Sequence, residues 1–288
     1  MTLGLSRVSL SPREFALLAE VFRQKAGLNF DRISSFTFER RLGERLEELG
    51  LATFHEYYKL LRFGANSEEE LSRALELVTT AESYFFRQDY QLRGFSTEVL
   101  PEIYQRNKDS KRLVIWSAGC STGEEVCTLA ILVRESGLFE GWDVRVIGSD
   151  LSRSRVAFAR KGEYSESSFR VTSKRQRRLY FENVGASWRV RDEVRRMCQF
   201  CQVNLIRAED VSRIGRVDIA FCRNVLIYFD QQARTTVIEH LRQRLLPGGY
   251  LFLGHSESLL NVTTAFELVH LREDLVYQKP GWRREREP

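Results

Sequence analysis

The densest run of residues able to do chemistry is Trp116-Ser-Ala-Gly-Cys-Ser-Thr-Gly-Glu-Glu125. It leaves an apolar stretch, Leu113-Val-Ile-Trp116, and enters a helical one, so it reads as strand, loop and helix start. Gly119 and Gly123 let backbone approach a ligand closely at the carboxyl end of a strand, where open α/β sheets bind. The spacing is not G-x-G-x-x-G, which weakens a dinucleotide reading. A bare helix start would suit phosphate, but Glu124 and Glu125 occupy this one. Carboxylates repel phosphate and attract an ammonium or a sulfonium-bearing amino acid, which favours a cofactor such as S-adenosylmethionine. The competing reading is a tight turn whose carboxylates answer the helix dipole.

A second acid closes the next apolar run, Ile147-Gly-Ser-Asp150. In nucleoside-binding α/β folds such a residue bonds the ribose hydroxyls, and a helix N-cap is the alternative. Cys198-Gln-Phe-Cys201 has the spacing of half a zinc site, yet no second pair or nearby histidine completes it, so no metal is expected. Five cysteines spread through apparent strands and helices fit reduced, mostly buried thiols better than a disulfide framework.

The elements that must position these groups divide into two kinds. From Ser11 to about Thr79 the periodicity is helical. Ser11-Pro12-Arg13-Glu14 is a helix start, and apolar residues recur at Phe15, Leu18, Val21 and Phe22. A second helix spans Phe36 to Leu49, with Gly50 at its C-cap, and Phe54 to Leu61 and Glu68 to Val78 give two more. After a helix at Gln91 to Arg106, short β-rich runs alternate with helices of 10 to 15 residues. Strands are expected at 113–116, 144–147, 217–221 and 250–253, with a final hairpin at 266–271 and 275–278. The pattern predicts a helical domain over 1–80, then an α/β, Rossmann-like domain over 81–282 with a mostly parallel sheet, and a tail at 283–288. The alternation breaks at about 178–203, where a small antiparallel insertion is expected.

With 288 residues, 43% hydrophobic and 29% charged, the chain can bury a substantial core and is not a low-complexity polymer. No apolar run approaches the roughly 20 residues of a membrane-spanning helix, and residues 1–12 lack a signal-peptide core. A cytoplasmic location without membrane insertion is the expectation. The net charge of +5 is concentrated in Arg170–Arg178 and in the tail, and would attract acidic partners of several kinds.

Taken together, Ser83-Tyr-Phe-Phe-Arg87, Trp116–Glu125, Gly148-Ser-Asp150, Val203-Asn-Leu205, Phe221-Cys-Arg-Asn-Val-Leu-Ile-Tyr-Phe-Asp230 and Gly254-His-Ser-Glu257 occur in an order and spacing that resemble the CheR-type methyltransferases of bacterial chemotaxis. The likeness covers nearly the whole chain. It implies transfer of a methyl group from S-adenosylmethionine to glutamate carboxylates on the cytoplasmic helices of chemoreceptors. Glu125 and Asp150 would hold the amino-acid and ribose parts of the cofactor, Asn204 and Leu205 would flank adenine, and Arg223 and Asn224 would complete the pocket. Arg87 and Tyr228 would stand nearest the methyl group and the incoming carboxylate. Taken alone, Tyr228 reads equally as a core aromatic, and Arg87 as a surface residue capping a helix.

The chain departs from the family in three places. Thr80-Ala-Glu-Ser83 replaces Thr-Asn-x-Thr, so among the cofactor contacts expected there Ser83 keeps a hydroxyl, while Ala81 cannot make an amide's bonds. Receptor docking falls to Arg41 and Arg45 on the second helix, which are interspersed with Glu39, Glu44, Glu47 and Glu48, so a merely solvated face competes. The turn Asn183-Val-Gly-Ala-Ser187 is short, which suggests that no tethering peptide of the receptor is gripped there. Two rival functions remain: a methyltransferase of nucleic acid or a small molecule, with Arg175–Arg178 as phosphate footprint, and a non-catalytic cofactor-binding protein.

Overall fold

The computed structural model describes residues 8–29, 35–79 and 82–281. Its contacts divide the chain into two compact units, residues 1–81 with 228–233, and residues 82–227 with 234–288.

The first unit is helical: α1 (Pro12–Ala26), α2 (Ser35–Glu48), α3 (Phe54–Phe63) and α4 (Ser67–Val78). Helix α1 starts where the sequence indicates. Ser11 Oγ accepts from the Glu14 amide and Glu14 returns the bond to the Ser11 amide, with Pro12 in the first turn. Gly27, at φ 71°, ends it. The apolar stripes meet as α1 packs on α3 and α2 on α4. Phe38 lies edge-to-face with Phe15 and Phe22, at centroid distances of 5.4 and 5.6 Å. The chain returns to this unit late. The Asn29 amide donates to the Tyr228 carbonyl at 2.7 Å, and Leu28 forms an antiparallel bridge with Phe229.

The second unit begins with α5 (Asp89–Gly94), which passes through a π-helical turn, Phe95–Val99, into α6 (Leu100–Asn107). One continuous helix was expected over 91–106. Pro101 has no N–H to give to the preceding turn, and the wider turn absorbs the interruption. The chain then runs β1 (Arg112–Ala118), α7 (Glu124–Glu135), β2 (Asp143–Asp150), α8 (Arg153–Lys161), β3 (Glu163–Tyr164), α9 (Lys174–Tyr180), β4 (Phe181–Asn183), β5 (Trp188–Val190), α10 (Asp192–Arg195), β6 (Cys198–Gln202), α11 (Ala208–Ser212), β7 (Val217–Cys222), α12 (Gln231–Arg244), β8 (Leu245–Leu253), β9 (Glu267–His270) and β10 (Leu275–Gln278).

Seven strands form the main sheet in the order β6-β2-β1-β7-β8-β10-β9. The first five are parallel, and β10 inserts antiparallel between β8 and β9. Strand β1 is buried from Leu113 to Ala118 and β7 along its whole length, as a parallel sheet covered on both faces requires. The small antiparallel sheet lies earlier than the expected 178–203: it is β3-β5-β4, within 163–190. Cys198–Gln202 instead pairs parallel with β2 as the edge of the main sheet. An edge strand buries only part of its side chains, so its sequence mimics a hairpin strand. Phe85, Phe169 and Phe181 pack mutually with ring centroids 4.8–5.0 Å apart, Phe85 stacked on Phe169 and both edge-to-face with Phe181, and anchor the Ser83–Arg87 segment to the small sheet.

Candidate cofactor site

The site is built at the carboxyl ends of β1, β2 and β7, the edge where parallel sheets present their loops. Gly119 takes φ 82°, and a Cβ there would lie 2.4 Å from Val225 Cγ2, so the loop after β1 is pressed against the loop after β7. Only glycine permits that approach.

Asp150 ends β2, with 8% of its surface exposed. Its Oδ2 accepts the Ser121 amide and its Oδ1 the Ser152 amide, each at 2.9 Å. One carboxylate thereby fixes the loop after β1 to the end of β2. Ser121 sits at φ 51°, and its Oγ is buried with no hydrogen-bond partner among the described residues. A stranded hydroxyl beside a fixed carboxylate is the kind of group a bound ligand satisfies.

The two glutamates at the start of α7 separate. Glu124 is buried, accepting from Thr122 Oγ1 at 2.6 Å and from Ser168 Oγ at 3.0 Å. Its bonds are internal to the fold, which leaves Glu125 as the candidate of the pair. Glu125 Oε1 accepts from Ser117 Oγ at 2.7 Å, and Oε2 lies 3.1 Å from Arg223 Nη1. A carboxylate offers about four acceptor positions, so these two bonds orient Glu125 and leave capacity for an ammonium group. Acid, acid and orphan hydroxyl fit the amino-acid and ribose parts of S-adenosylmethionine.

Arg223 is a buried strut. Its Nε and Nη2 donate to Gln88 Oε1 at 3.1 and 2.6 Å, and Nη2 also reaches the Arg87 carbonyl at 2.6 Å. It therefore acts on the pocket by holding the turn at 86–88 and Glu125. Arg87 keeps a quarter of its side chain exposed. Its guanidinium donates to the Glu82 carbonyl and stands 5.7 Å from the Tyr84 ring centroid. Ser83 is half-buried at the start of the same segment.

Asn204 and Leu205 follow β6, both buried. Asn204 Oδ1 accepts the Ile206 amide at 3.3 Å, and the Leu205 carbonyl bonds His240 Nδ1 at 2.8 Å. Asn224 takes φ 59° in the loop after β7. Tyr228 ends a 3-10 turn, Leu226–Tyr228, and belongs by its contacts to the helical unit. Ala81 and the tail at 283–288 lie outside the described residues.

Both arginines expected to dock a receptor make internal bonds, Arg41 to backbone carbonyls and Arg45 to carboxylates. Arg41 Nη1 donates to the Val78 carbonyl at 3.0 Å, capping α4. Arg45 forks onto Glu70 at 2.9 and 2.6 Å and reaches Glu48 at 2.7 Å. Glu70 also accepts from Tyr57 Oη at 2.8 Å. Burial pushes the Glu70 carboxyl up, but the bonds from Arg45 and Tyr57 outweigh it and hold it below the usual carboxylate range. Cys198 and Cys201, an odd number of residues apart on β6, point to opposite faces. Their thiols donate to the Val194 and Gly148 carbonyls.

Two participants carry no role in the sequence reading. Gln88 holds Arg223, and Glu257 collects backbone amides from the loop after β7. The signal for Glu257 was its place in Gly254-His-Ser-Glu257; for Gln88 there was none. Among the described residues six non-glycines have positive φ, and four of them, Phe86, Gln88, Ser121 and Asn224, lie in the three segments that form the site. Such conformations cost of order 1 kcal/mol each and concentrate where function over-determines the backbone.

Comparison with known proteins identifies the family. Residues 81–275 match the family described as CheR methyltransferase, SAM binding domain, and residues 13–79 match CheR methyltransferase, all-alpha domain. Chemotaxis protein methyltransferase 2 of Vibrio cholerae is 33% identical over 278 residues, covering 96% of each chain. Chemotaxis protein methyltransferase of Vibrio parahaemolyticus is 30% identical, covering 95% of this chain and 99% of that protein. Chemotaxis protein methyltransferase 1 of Pseudomonas aeruginosa is 29% identical, covering 94% and 99%. The chain belongs to the CheR methyltransferase family, and the unit built on β1, β2 and β7 is its S-adenosylmethionine-binding domain.

Proposed function

We propose that this chain methylates the side-chain carboxylates of specific glutamates on the cytoplasmic helices of chemoreceptors, giving methyl esters that serve sensory adaptation. The observation that carries this reading is Glu125 in the first turn of α7, after the β1 loop, with Asp150 at the end of the adjoining β2, beside an arginine-bearing segment, in a chain of this family.

When bound, S-adenosylmethionine supplies a methyl group on a positively charged sulfur. Glu125 holds the ammonium of its amino-acid part, Asp150 the ribose hydroxyls, and Asn204 with Leu205 the adenine; Ser83 and Asn224 close the pocket. A receptor glutamate is ionised at neutral pH, with a reference pKa near 4.3, so no side chain has to remove a proton. The protein's task is to align the oxygen with the methyl group and to exclude water. Arg87 is the residue we assign to orienting the carboxylate, through charge-assisted hydrogen bonds. A single partly exposed arginine suits a step in which charge is neutralised, because a stronger clamp would stabilise the ground state. Tyr228 is assigned to the approach of the carboxylate on its sequence motif alone.

For docking, the family motif points to α2, but Arg41 and Arg45 would have to exchange internal bonds for receptor contacts. Exposed Arg40 on the same helix is the better-placed cation. The four-residue loop between β4 and β5, closed by a bond from the Val184 amide to the Ser187 carbonyl at 2.9 Å, supports docking without a tethering peptide.

The deciding experiment supplies methyl-labelled S-adenosylmethionine together with receptor cytoplasmic fragments or with RNA. Base-labile label on receptor glutamates is the expected result; label on RNA alone, or on neither, would remove the proposal.

A further inference from the structure

The loop after β7 carries Arg223 and Asn224 and leads through Val225 to Ile227. It leaves the sheet with Asn224 in a left-handed conformation, so its amides cannot continue the ladder with β8. Three of its amides, joined by that of Gly254, nevertheless converge on one side chain from the loop after β8. Glu257 Oε2 accepts from Gly254 N at 2.7 Å and Asn224 N at 2.8 Å, while Oε1 accepts from Val225 N at 2.8 Å and Ile227 N at 3.2 Å. Gly254 makes room for this: a Cβ there would lie 2.7 Å from both Asn224 N and Glu257 Oε2. The Val225 held in this way is the residue whose Cγ2 closes on Gly119 of the β1 loop.

We propose that Glu257 is a positioning residue for cofactor binding, its carboxylate gathering the amides of 224–227 so that Asn224 and Val225 are set against the Gly119 loop. The inference rests on the reading of the β1, β2 and β7 loops as the S-adenosylmethionine pocket. Glu257 touches no reacting group; it acts through the backbone it holds. Burial pushes the Glu257 carboxyl above its usual range, and accepting four backbone N–H groups offsets part of that cost. An amide side chain cannot substitute, since its NH2 would face two of the four donors.

The test compares wild type, Glu257→Gln, Glu257→Asp and Asp150→Ala, with S-adenosylhomocysteine as calorimetric probe, hydrogen exchange and steady-state kinetics. In Glu257→Gln the amides of 224, 225 and 227 should exchange at least tenfold faster, with those of β7 unchanged. The Kd for S-adenosylhomocysteine and the KM for S-adenosylmethionine should rise together by at least tenfold, with kcat at saturation within about threefold of wild type. A residue that merely stabilises the fold gives the opposite split, a lower apparent kcat and binding stoichiometry at unchanged Kd, and that outcome overturns the inference. Glu257→Asp keeps the charge at shorter reach and should move Kd in the same direction by less. It decides the matter if the glutamine variant does not fold, and an unchanged Kd in it counts against the role. Asp150→Ala separates the two claims. If it binds the probe normally, the pocket itself is misassigned; if it loses binding while the Glu257 variants do not, only the role of Glu257 falls.

Discussion

Arg223 Nη1 lies 3.1 Å from Glu125 Oε2, and the arginine side chain is only 3% exposed. The pair joins the end of β7 to the first turn of α7, and the remaining donors of Arg223 bind Gln88 and the Arg87 carbonyl. One guanidinium thus coordinates three segments of the site. A lysine has a single nitrogen and cannot reproduce a planar fork with donors on several sides. Arg223→Lys should therefore lower affinity for S-adenosylhomocysteine at least tenfold and resemble Arg223→Ala, as read by calorimetry. Near-normal binding by the lysine variant would mean that charge alone suffices.

Asp150→Ala removes the acceptor for the Ser121 and Ser152 amides together with the bonds proposed for ribose. Hydrogen bonds to a charged acceptor contribute about 1.5–3 kcal/mol, so probe affinity should fall on the order of 30-fold or more. Asp150→Asn, which keeps one acceptor oxygen, should fall between that variant and wild type.

Arg87→Ala discriminates chemistry from binding. The side chain hangs on the Glu82 carbonyl and the Tyr84 ring and is partly exposed. Its loss should leave the melting temperature within about 2 °C, since surface changes away from special features are worth under about 0.5 kcal/mol. Receptor methylation should drop at least 100-fold. Retained methylation would return Arg87 to a capping role.

In the helical unit, Arg45→Ala leaves Glu70 buried with Tyr57 as its remaining strong partner. Breaking such a pair from one side costs about 3 kcal/mol, visible as a lower midpoint in denaturant. The Glu70 carboxyl is held below its ordinary value of 4.5. Its contribution to stability is therefore present above that pH and is lost as pH falls through the depressed folded-state value. The stability gap between wild type and Glu70→Gln should be constant near neutrality and narrow progressively below about pH 4.5. A gap independent of pH down to 3 would show that the pair does not titrate as described.

How much was legible beforehand follows from the kind of interaction involved. Ser11 with Glu14, the stripe from Phe15 to Phe22 and the buried runs of β1 and β7 are local signals of period or spacing, and they could be read directly. The positions of Asp150 at the end of β2 and of Glu125 in the first turn of α7 could also be read, because strand ends recur in fixed relation to the loops and helices that follow. What could not be read was partnership across long separations. Arg45 and Glu70 are 25 residues apart, Arg223 and Gln88 are 135 apart, and Glu257 reaches back 33 to Asn224. Nothing in the spacing of Arg41 and Arg45 shows that Arg45 is already paired with Glu70 while Arg41, among the described residues, bonds only carbonyls. Glu124 and Glu125 are likewise adjacent and chemically alike, and only the 100° step between helix neighbours sends one inward to Ser168.

The late return of residues 228–233 to the helical unit bears on how the chain must fold. A fragment ending at 81 lacks the carbonyl that receives the Asn29 amide and the Phe229 bridge to Leu28. On the ribosome, the amino-terminal helices emerge first but must wait for some 150 further residues before their last strand-like contact can form. Division into two genes at the apparent boundary would therefore not yield two finished pieces.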